Sequence, residues 1–247
     1  MILAAGLGTR LRPLTDNLPK ALVEVDGVPM LERLILNLKE AGFDYIVVNV
    51  HHFAEKVKNF LASKDFGVKI AVSDESNELL DTGGGIVKAK ELLFKYDDNP
   101  FIVHNVDILS NADLKSLLKE NAGIPEGSSL LISNRDSSRK LIFDTNLKLK
   151  GWHDLQKDIW RPAEFMPEEG DREMAFSGVY AMSRGAVEEM EKLMGESKFS
   201  VMDYFLSPER KLPVMGMEQE GLKIIDIGKP ATLLQASRIL KDLSIKY

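Results

Sequence analysis

Residues 1–25 read MILAAGLGTRLRPLTDNLPKALVEV. An apolar run stops at Gly6, passes through Gly8 and Thr9, and meets two arginines, Arg10 and Arg12; Lys20 then stands between Pro19 and a second apolar run. The first five residues have the pattern of a buried strand ending in a turn. They are few for such a strand, whose usual length is about 5–6 residues, so native residues are expected before Met1. Glycines without a Cβ let backbone N–H groups approach an anion, and a helix or turn start adds the positive end of peptide dipoles. A plain tight turn would use the same glycines. The arginines tip the reading toward phosphate, because a guanidinium meets phosphate oxygens with a planar fork.

Working outward, the first half alternates two periods. Strand patterns at residues 45–50, 68–73, 101–109 and 128–135 are separated by helical ones at 29–43, 54–64, 83–95 and 112–122. In the first of these helices Leu31, Leu34, Ile35 and Leu38 share a face, and Gly42 supplies the stop. Residues 83–95 read as a glycine loop entering a helix. Strands that are apolar along their whole length, joined by single helices, predict a parallel sheet covered on both faces. After Arg135 the pattern changes. A hairpin at 141–154 turns at Asp144–Asn146, a polar aperiodic stretch at 156–173 reads as a long loop or lid, and 174–183 as a strand. Helices follow at 184–194 and 200–206, a final strand pair at 212–219 and 222–228, and a closing helix at 230–243 with Pro230 in its first turn. The predicted class is α/β, with a Rossmann-like mixed, mainly parallel sheet flanked by helices. The predicted organisation is one domain over 1–247, divided into residues 1–135 and 136–247.

The 247 residues carry a formal net charge of −6 with acids and bases interspersed, which argues against nucleic acid or an anionic membrane as partner. There is no cysteine, so disulfides, thiolate chemistry and Cys-based zinc sites are excluded. With no apolar run near the ~18 residues of a membrane span and no basic segment leading a long apolar one, a soluble cytoplasmic protein is expected. Oligomeric state is left open.

In an open parallel sheet, ligands bind beyond the carboxyl ends of the strands. There the glycine turn fits neither of two familiar phosphate motifs. No Gly-Lys-Ser/Thr string follows it, and the position three after Gly8 is Leu11 rather than the third glycine of a dinucleotide fingerprint. His51 and His52 follow a strand, but adjacent residues of an extended segment point opposite ways and do not readily share one metal ion; loop packing or capping is expected instead. Trp152, His153 and Trp160 flank the irregular stretch and suit either a sugar-facing lid or ordinary packing.

Taken together, LAAGLGTRLRPLTDNLPKALVEVDGVPML resembles the signature of the sugar-1-phosphate nucleotidyltransferases, Leu-Ala-Gly-Gly-x-Gly-Thr-Arg-Leu-x-Pro-Leu-Thr followed by Pro-Lys-x-Leu. VNVHHFAEKV is similar to members that activate mannose-1-phosphate or N-acetylmuramate-1-phosphate. DTGGGI, HNVDIL, FSGVYAMS and IIDIGKPATLLQA resemble further segments of the family, with Val106 where a glycine is usual.

The resemblance implies the nucleotide-diphospho-sugar transferase fold and transfer of a nucleotidyl group from an NTP to a sugar-1-phosphate, with Mg²⁺ as cofactor. It makes residues 1–135 the nucleotide-binding half and 136–247 the sugar-binding half. It implies that Gly6, Gly8, Thr9 and Arg10 hold the triphosphate, and that Lys20 neutralises phosphates where the two substrates meet. Asp107 and Asp226, each ending a strand, would hold the metal; a cap or turn role is the alternative for either. Arg10, Lys20 and Asp107 form the implied catalytic set. Leu3, Ala4, Gly6, Thr82, Gly83 and Gly84 would line the base and ribose, and Asn134 and Gly178 the sugar. The chain departs from the family in lacking a Glu-Lys-Pro string; Lys150 and Lys157 lie in the corresponding stretch. Two other readings stay open: a cytidylyltransferase acting on phosphocholine or another phospho-alcohol, and a nucleotide-binding regulator without turnover.

Overall fold

Strands apolar on both faces need cover on both, and in the computed structural model, which describes residues 1–242, the alternating patterns supply it. The strands of the first half are β1 (Ile2–Leu3), β2 (Glu24–Val25), β3 (Val28–Pro29), β4 (Tyr45–Val50), β5 (Lys69–Asp74), β6 (Phe101–Asn105), β7 (Ile108–Ser110) and β8 (Ser128–Ser133). Their helices are α1 (Met30–Glu40), α2 (Ala54–Ala62), α3 (Asp81–Lys88), α4 (Lys90–Leu93) and α5 (Leu114–Ala122). The second half adds β9 (Arg139–Phe143), β10 (Leu149–Asp154), β11 (Ile159–Arg161), β12 (Arg172–Met182), β13 (Val214–Glu218) and β14 (Ile224–Asp226). It also holds α6 (Arg184–Met194), α7 (Val201–Phe205) and α8 (Pro230–Asp242).

The four central strands run β5-β4-β1-β6, all parallel. β12 pairs antiparallel with β6 on one edge and with β8 on the other, since Tyr180–Met182 are bonded to both neighbours. Beyond lie β13, parallel to β8, and the antiparallel run β9-β10-β11. The core splits by the two-residue period of the strands. Ile2, Ala4, Val48, Val50 and Ile102 pack toward α1, α2, α5 and α8, while Leu3, Val47 and Val103 pack toward α3, α6 and α7. Helix α1 buries the predicted face, Leu31, Leu34, Ile35 and Leu38, and ends at Gly42, where φ is +88° and the amide donates to the Lys39 carbonyl.

Four expectations are corrected. Residues 101–109 are not one strand: the chain turns at Val106–Asp107 after the Val106 amide reaches the Leu3 carbonyl, and β7 leaves the main sheet. The last two strand segments do not pair with each other; β13 joins β8, and β14 joins β7 antiparallel with Asp226 opposite Ile108. Residues 83–85 are not a loop but sit inside α3. The stretch 156–173 holds β11 and the start of β12. Of the predicted closing helix, Leu243 lies outside the described residues.

Candidate active site

Leu3 ends β1 in the middle of the sheet, and the chain leaves the carboxyl rim as the predicted glycine turn. Gly8 adopts φ +66°, a conformation that side chains resist. A Cβ there would also stand 3.0 Å from both Lys20 Cβ and Thr15 Cγ2. The Thr15 hydroxyl donates to the Gly8 carbonyl at 2.8 Å, so the turn is held over the segment that carries Lys20. Gly6 and Thr9 are exposed on this turn. A single 3-10 turn at Thr9–Leu11 buries Leu11 and sends Arg10 outward. Another, Lys20–Leu22, starts after Pro19 and points Lys20 back under the rim.

These cations meet two carboxylates. Lys20 Nζ donates to Asp107 Oδ2 in a largely buried pair. Arg10 lies 3.7 Å from Asp107 and 3.3 Å from Asp226, with its guanidinium half exposed. The two aspartates are far apart in sequence and meet because β7 and β14 pair and the Ile227 amide bonds the Asp107 carbonyl. Burial alone would raise the Asp226 pKa. The Gly228 amide, at 2.8 Å, then Arg10, a hydrogen bond with Asp107, and Lys20 outweigh it and hold this carboxyl below the ordinary carboxylate value. Gly228 allows this closeness. A Cβ on it would overlap Asp107 Oδ2 and stand 2.8 Å from Asp226 Oδ1 and 2.9 Å from Arg10 Nη2.

The remaining predicted residues are placed in different ways. Leu3 and Ala4 are buried, and the Ala4 amide is committed to Asn49 Oδ1 at 2.7 Å. Asn49 in turn donates to Glu75 Oε1 at 2.7 Å, and Glu75 Oε2 accepts from the Leu80 amide. Burial pushes the fully enclosed Glu75 carboxyl pKa up, against the pull of Asn49 and the Leu80 amide. This chain of bonds ties the start of the glycine turn to the start of α3. Thr82 accepts from the Val201 amide, and the Gly83 and Gly84 amides point at the Phe199 carbonyl. Gly83 and Gly84 are thus buried beneath residues 197–199. Gly178 has φ +72°, and a Cβ on it would stand 2.6 Å from Asn105 Nδ2. Asn134 is exposed just past β8.

His51 packs as expected, with Nδ1 on the Glu75 carbonyl at 2.6 Å. His153 stacks on Trp160 at 3.6 Å, whereas Trp152 lines a cavity of about 360 Å³ with Arg139, Arg161 and Phe176. Lys150 is bound by Glu168 at 2.7 Å and Asp171 at 2.9 Å. Sequence reasoning missed Thr15, Asn49, Glu75 and Gly228. Thr15, Asn49 and Gly228 stand inside segments that carry the resemblance, but nothing in a linear pattern says what their side chains or missing Cβ would touch.

Among the described residues no group of three or more His, Cys, Asp or Glu side chains converges as a metal cage, and no helix is long and apolar enough to cross a membrane. Two converging carboxylates supply hard oxygen donors. That suits Mg²⁺, which takes one or two carboxylates and completes its shell with phosphate oxygens and water.

The nucleotidyl transferase family model matches residues 1–140. The chain is 44% identical over 110 residues to an N-acetylmuramate alpha-1-phosphate uridylyltransferase from Caulobacter vibrioides, covering 43% of this chain and 44% of the relative. It is 34% identical over 143 residues to mannose-1-phosphate guanylyltransferase 1 from Arabidopsis thaliana, covering 57% of this chain and 39% of the relative. The chain thus spans about half the length, or less, of these curated relatives. The crystal structure of HddC from Yersinia pseudotuberculosis superposes with a TM-score of 0.75 at 25% identity, covering 97% of both chains. A second structure of HddC, in complex with GMP-PN, gives 0.74. The architecture is the nucleotide-diphospho-sugar transferase fold expected from the sequence.

Proposed function

Because the chain belongs to the nucleotidyl transferase family, we propose that it transfers a nucleotidyl group from an NTP to a sugar-1-phosphate, giving an NDP-sugar and pyrophosphate. The observation that supports this reading best is the convergence of Arg10, Lys20, Asp107 and Asp226 at the carboxyl rim of the parallel strands. A sugar phosphate, with a second pKa near ~6, is largely a dianion at neutral pH and needs no general base. Its phosphate oxygen attacks the α-phosphorus, a P–O bond forms there, and the bond to the bridging oxygen breaks as pyrophosphate leaves. The difficulty is electrostatic: two polyanions must be brought together and the charge on the phosphoryl oxygens offset.

In this reading Gly6, Gly8 and Thr9 present backbone amides to the triphosphate, and Arg10 meets the leaving pyrophosphate. Arg10 is suited to this because it is half exposed and its carboxylate contacts, at 3.3 and 3.7 Å, are loose enough to exchange for phosphate oxygens. Lys20, set between Gly8 and Asp107, neutralises the phosphates where the substrates meet. Asp107 and Asp226 would hold Mg²⁺, which supplies charge neutralisation at the phosphoryl oxygens when bound. Leu3, Ala4, Thr82, Gly83 and Gly84 shape the base and ribose side, the buried glycines from beneath. Asn134 and Gly178 belong to the sugar side. Apart from the end of β8, which turns to the sugar, and Asp226, residues 1–135 serve the nucleotide and 136–247 the sugar, and the cytoplasm, which holds the NTP pool, is the proposed setting.

The test is pyrophosphate release from each NTP with a panel of sugar-1-phosphates, with and without Mg²⁺. Metal-dependent release with one base and one sugar is expected. Release with choline phosphate alone would instead make the protein a cytidylyltransferase of phospho-alcohols, and nucleotide binding without release would make it a regulator.

A further inference from the structure

The segment after β8 carries a cation that the site described so far does not use. Arg135 follows Asn134 at the carboxyl end of this strand, half-buried. Its Nη2 donates to the Phe176 carbonyl at 2.9 Å, and its Nη1 makes a long contact of 3.4 Å to the Asp136 carbonyl. Its Nε is buried with no hydrogen-bond partner among the described residues. Among the described residues no carboxylate lies within ion-pair distance of it, in contrast to Arg139 with Asp154, Arg161 with Asp203 and Lys150 with Glu168 and Asp171. Burial pushes the Arg135 pKa below its ordinary value, and the charge that opposes this is that of Asp226.

A half-buried guanidinium held by carbonyls, without a counter-ion, is costly unless an anion arrives. Topology says which anion. The glycine turn, Asn49 and Glu75 come from β1, β4 and β5, on one side of β6. β8 stands two strands from β6 on the other side, across β12. Arg135, on which the charge of Asp226 acts, therefore comes from the flank opposite the strands that carry the triphosphate cradle. Of the two lysines in the stretch that corresponds to the absent Glu-Lys-Pro string, Lys150 is already neutralised by two carboxylates, and Lys157 is exposed in the turn between β10 and β11.

We propose that Arg135 binds the phosphate of the acceptor sugar-1-phosphate, and that Phe176 fixes its fork by accepting one of its N–H groups. The assignment rests on the nucleotidyl-transfer reading above. Its site is preset, since Arg135 pays no loss of an ion pair when the phosphate enters.

The experiment compares wild type with Arg135→Met, which keeps the stem but not the charge, and Arg135→Lys, which keeps the charge but not the fork. Glucose-1-phosphate, mannose-1-phosphate, N-acetylglucosamine-1-phosphate and N-acetylmuramate-1-phosphate are first offered to wild type, and the one that releases pyrophosphate is used throughout. Arg135→Met is expected to raise the acceptor KM by about 10–100-fold while the NTP KM stays near wild type. Arg135→Lys should recover part of the loss, and titration calorimetry with the same sugar-1-phosphate should show the same order. If the Met variant does not fold, an acceptor-selective KM rise in the Lys variant supports the assignment. An unchanged acceptor KM, or an equal rise for the NTP, overturns it while leaving nucleotidyl transfer intact. No release by wild type with any acceptor overturns that reading and the assignment together.

Discussion

Lys20 and Gly228 both approach Asp107 Oδ2, one as a charge and the other as a missing side chain. In the proposed reaction Lys20 offsets phosphate charge, so Lys20→Ala should cut pyrophosphate release by about 10²–10³-fold. Its loss should leave the melting temperature nearly unchanged, because Arg10 still faces Asp107. A near-normal rate would remove Lys20 from the mechanism. Gly228→Ala is the sterner probe: its Cβ would push Asp107 and Asp226 apart without altering any charge. Displacing such groups by about 1 Å can cost on the order of 10²-fold in rate, and raising Mg²⁺ should not restore it. Rescue by excess Mg²⁺ would mean that carboxylate spacing is unimportant. At this scale the meeting of Arg10 and Lys20 with Asp107 and Asp226 was legible, since the resemblance puts all four at one site. Arg135, Glu75 and Gly228 were not, because a half-buried arginine, a buried carboxylate and a crowded glycine look ordinary until their neighbours are known.

The element whose reading changed most is α3. Its three glycines suggested a loop, since glycine weakens a helix by about 0.5–1 kcal/mol relative to alanine. The structure shows what outweighs that cost: each glycine admits a different neighbour. Gly83 admits the Phe199 ring, Gly84 the Ser197 carbonyl, and Gly85 the Glu75 and Asn49 side chains. Gly83→Ala should therefore destabilise by about 1–3 kcal/mol through overpacking, read as a lower urea midpoint, despite its better helix propensity. Trimming the ring with Phe199→Leu in the same chain should return part of the loss; a Gly83→Ala protein as stable as wild type would deny the contact. The central strands, in contrast, were readable from their continuous apolar runs. The break between β6 and β7 was not, because no glycine or proline punctuates HNVDIL; it follows from the pairing with β14, a partner no local pattern reveals.

For the molecule as a whole, the acid side of its stability curve is expected to depend partly on His104, buried between β1 and β12 on β6. Burial is the main cause that lowers its pKa from 6.5 to about 4. The unfolded chain takes up this proton near pH 6.5 and the folded one only near pH 4, so between those values unfolding gains protons and stability falls as pH falls. At 1.36 kcal/mol per unit, the full loss is about 3 kcal/mol at most. Glu75, whose carboxyl is raised, works in the opposite sense just above its ordinary value. The His104 share is the difference between wild type and His104→Gln in chemical melts from pH 7 to 4, and equal slopes for the two would exclude it.

Asp226 reaches Asp107 through β14, which the ribosome delivers after every other strand among the described residues. At the usual pace of synthesis, roughly 5–20 residues per second, the cradle around Lys20 waits about 10–40 s for its last carboxylate. During that interval a nascent chain holds Lys20 and Asp107 but lacks one of the two carboxylates that, in the proposed reaction, would hold Mg²⁺. If the proposed reaction is the chain's own, the order of its strands thus postpones chemistry until the sheet behind the site is built.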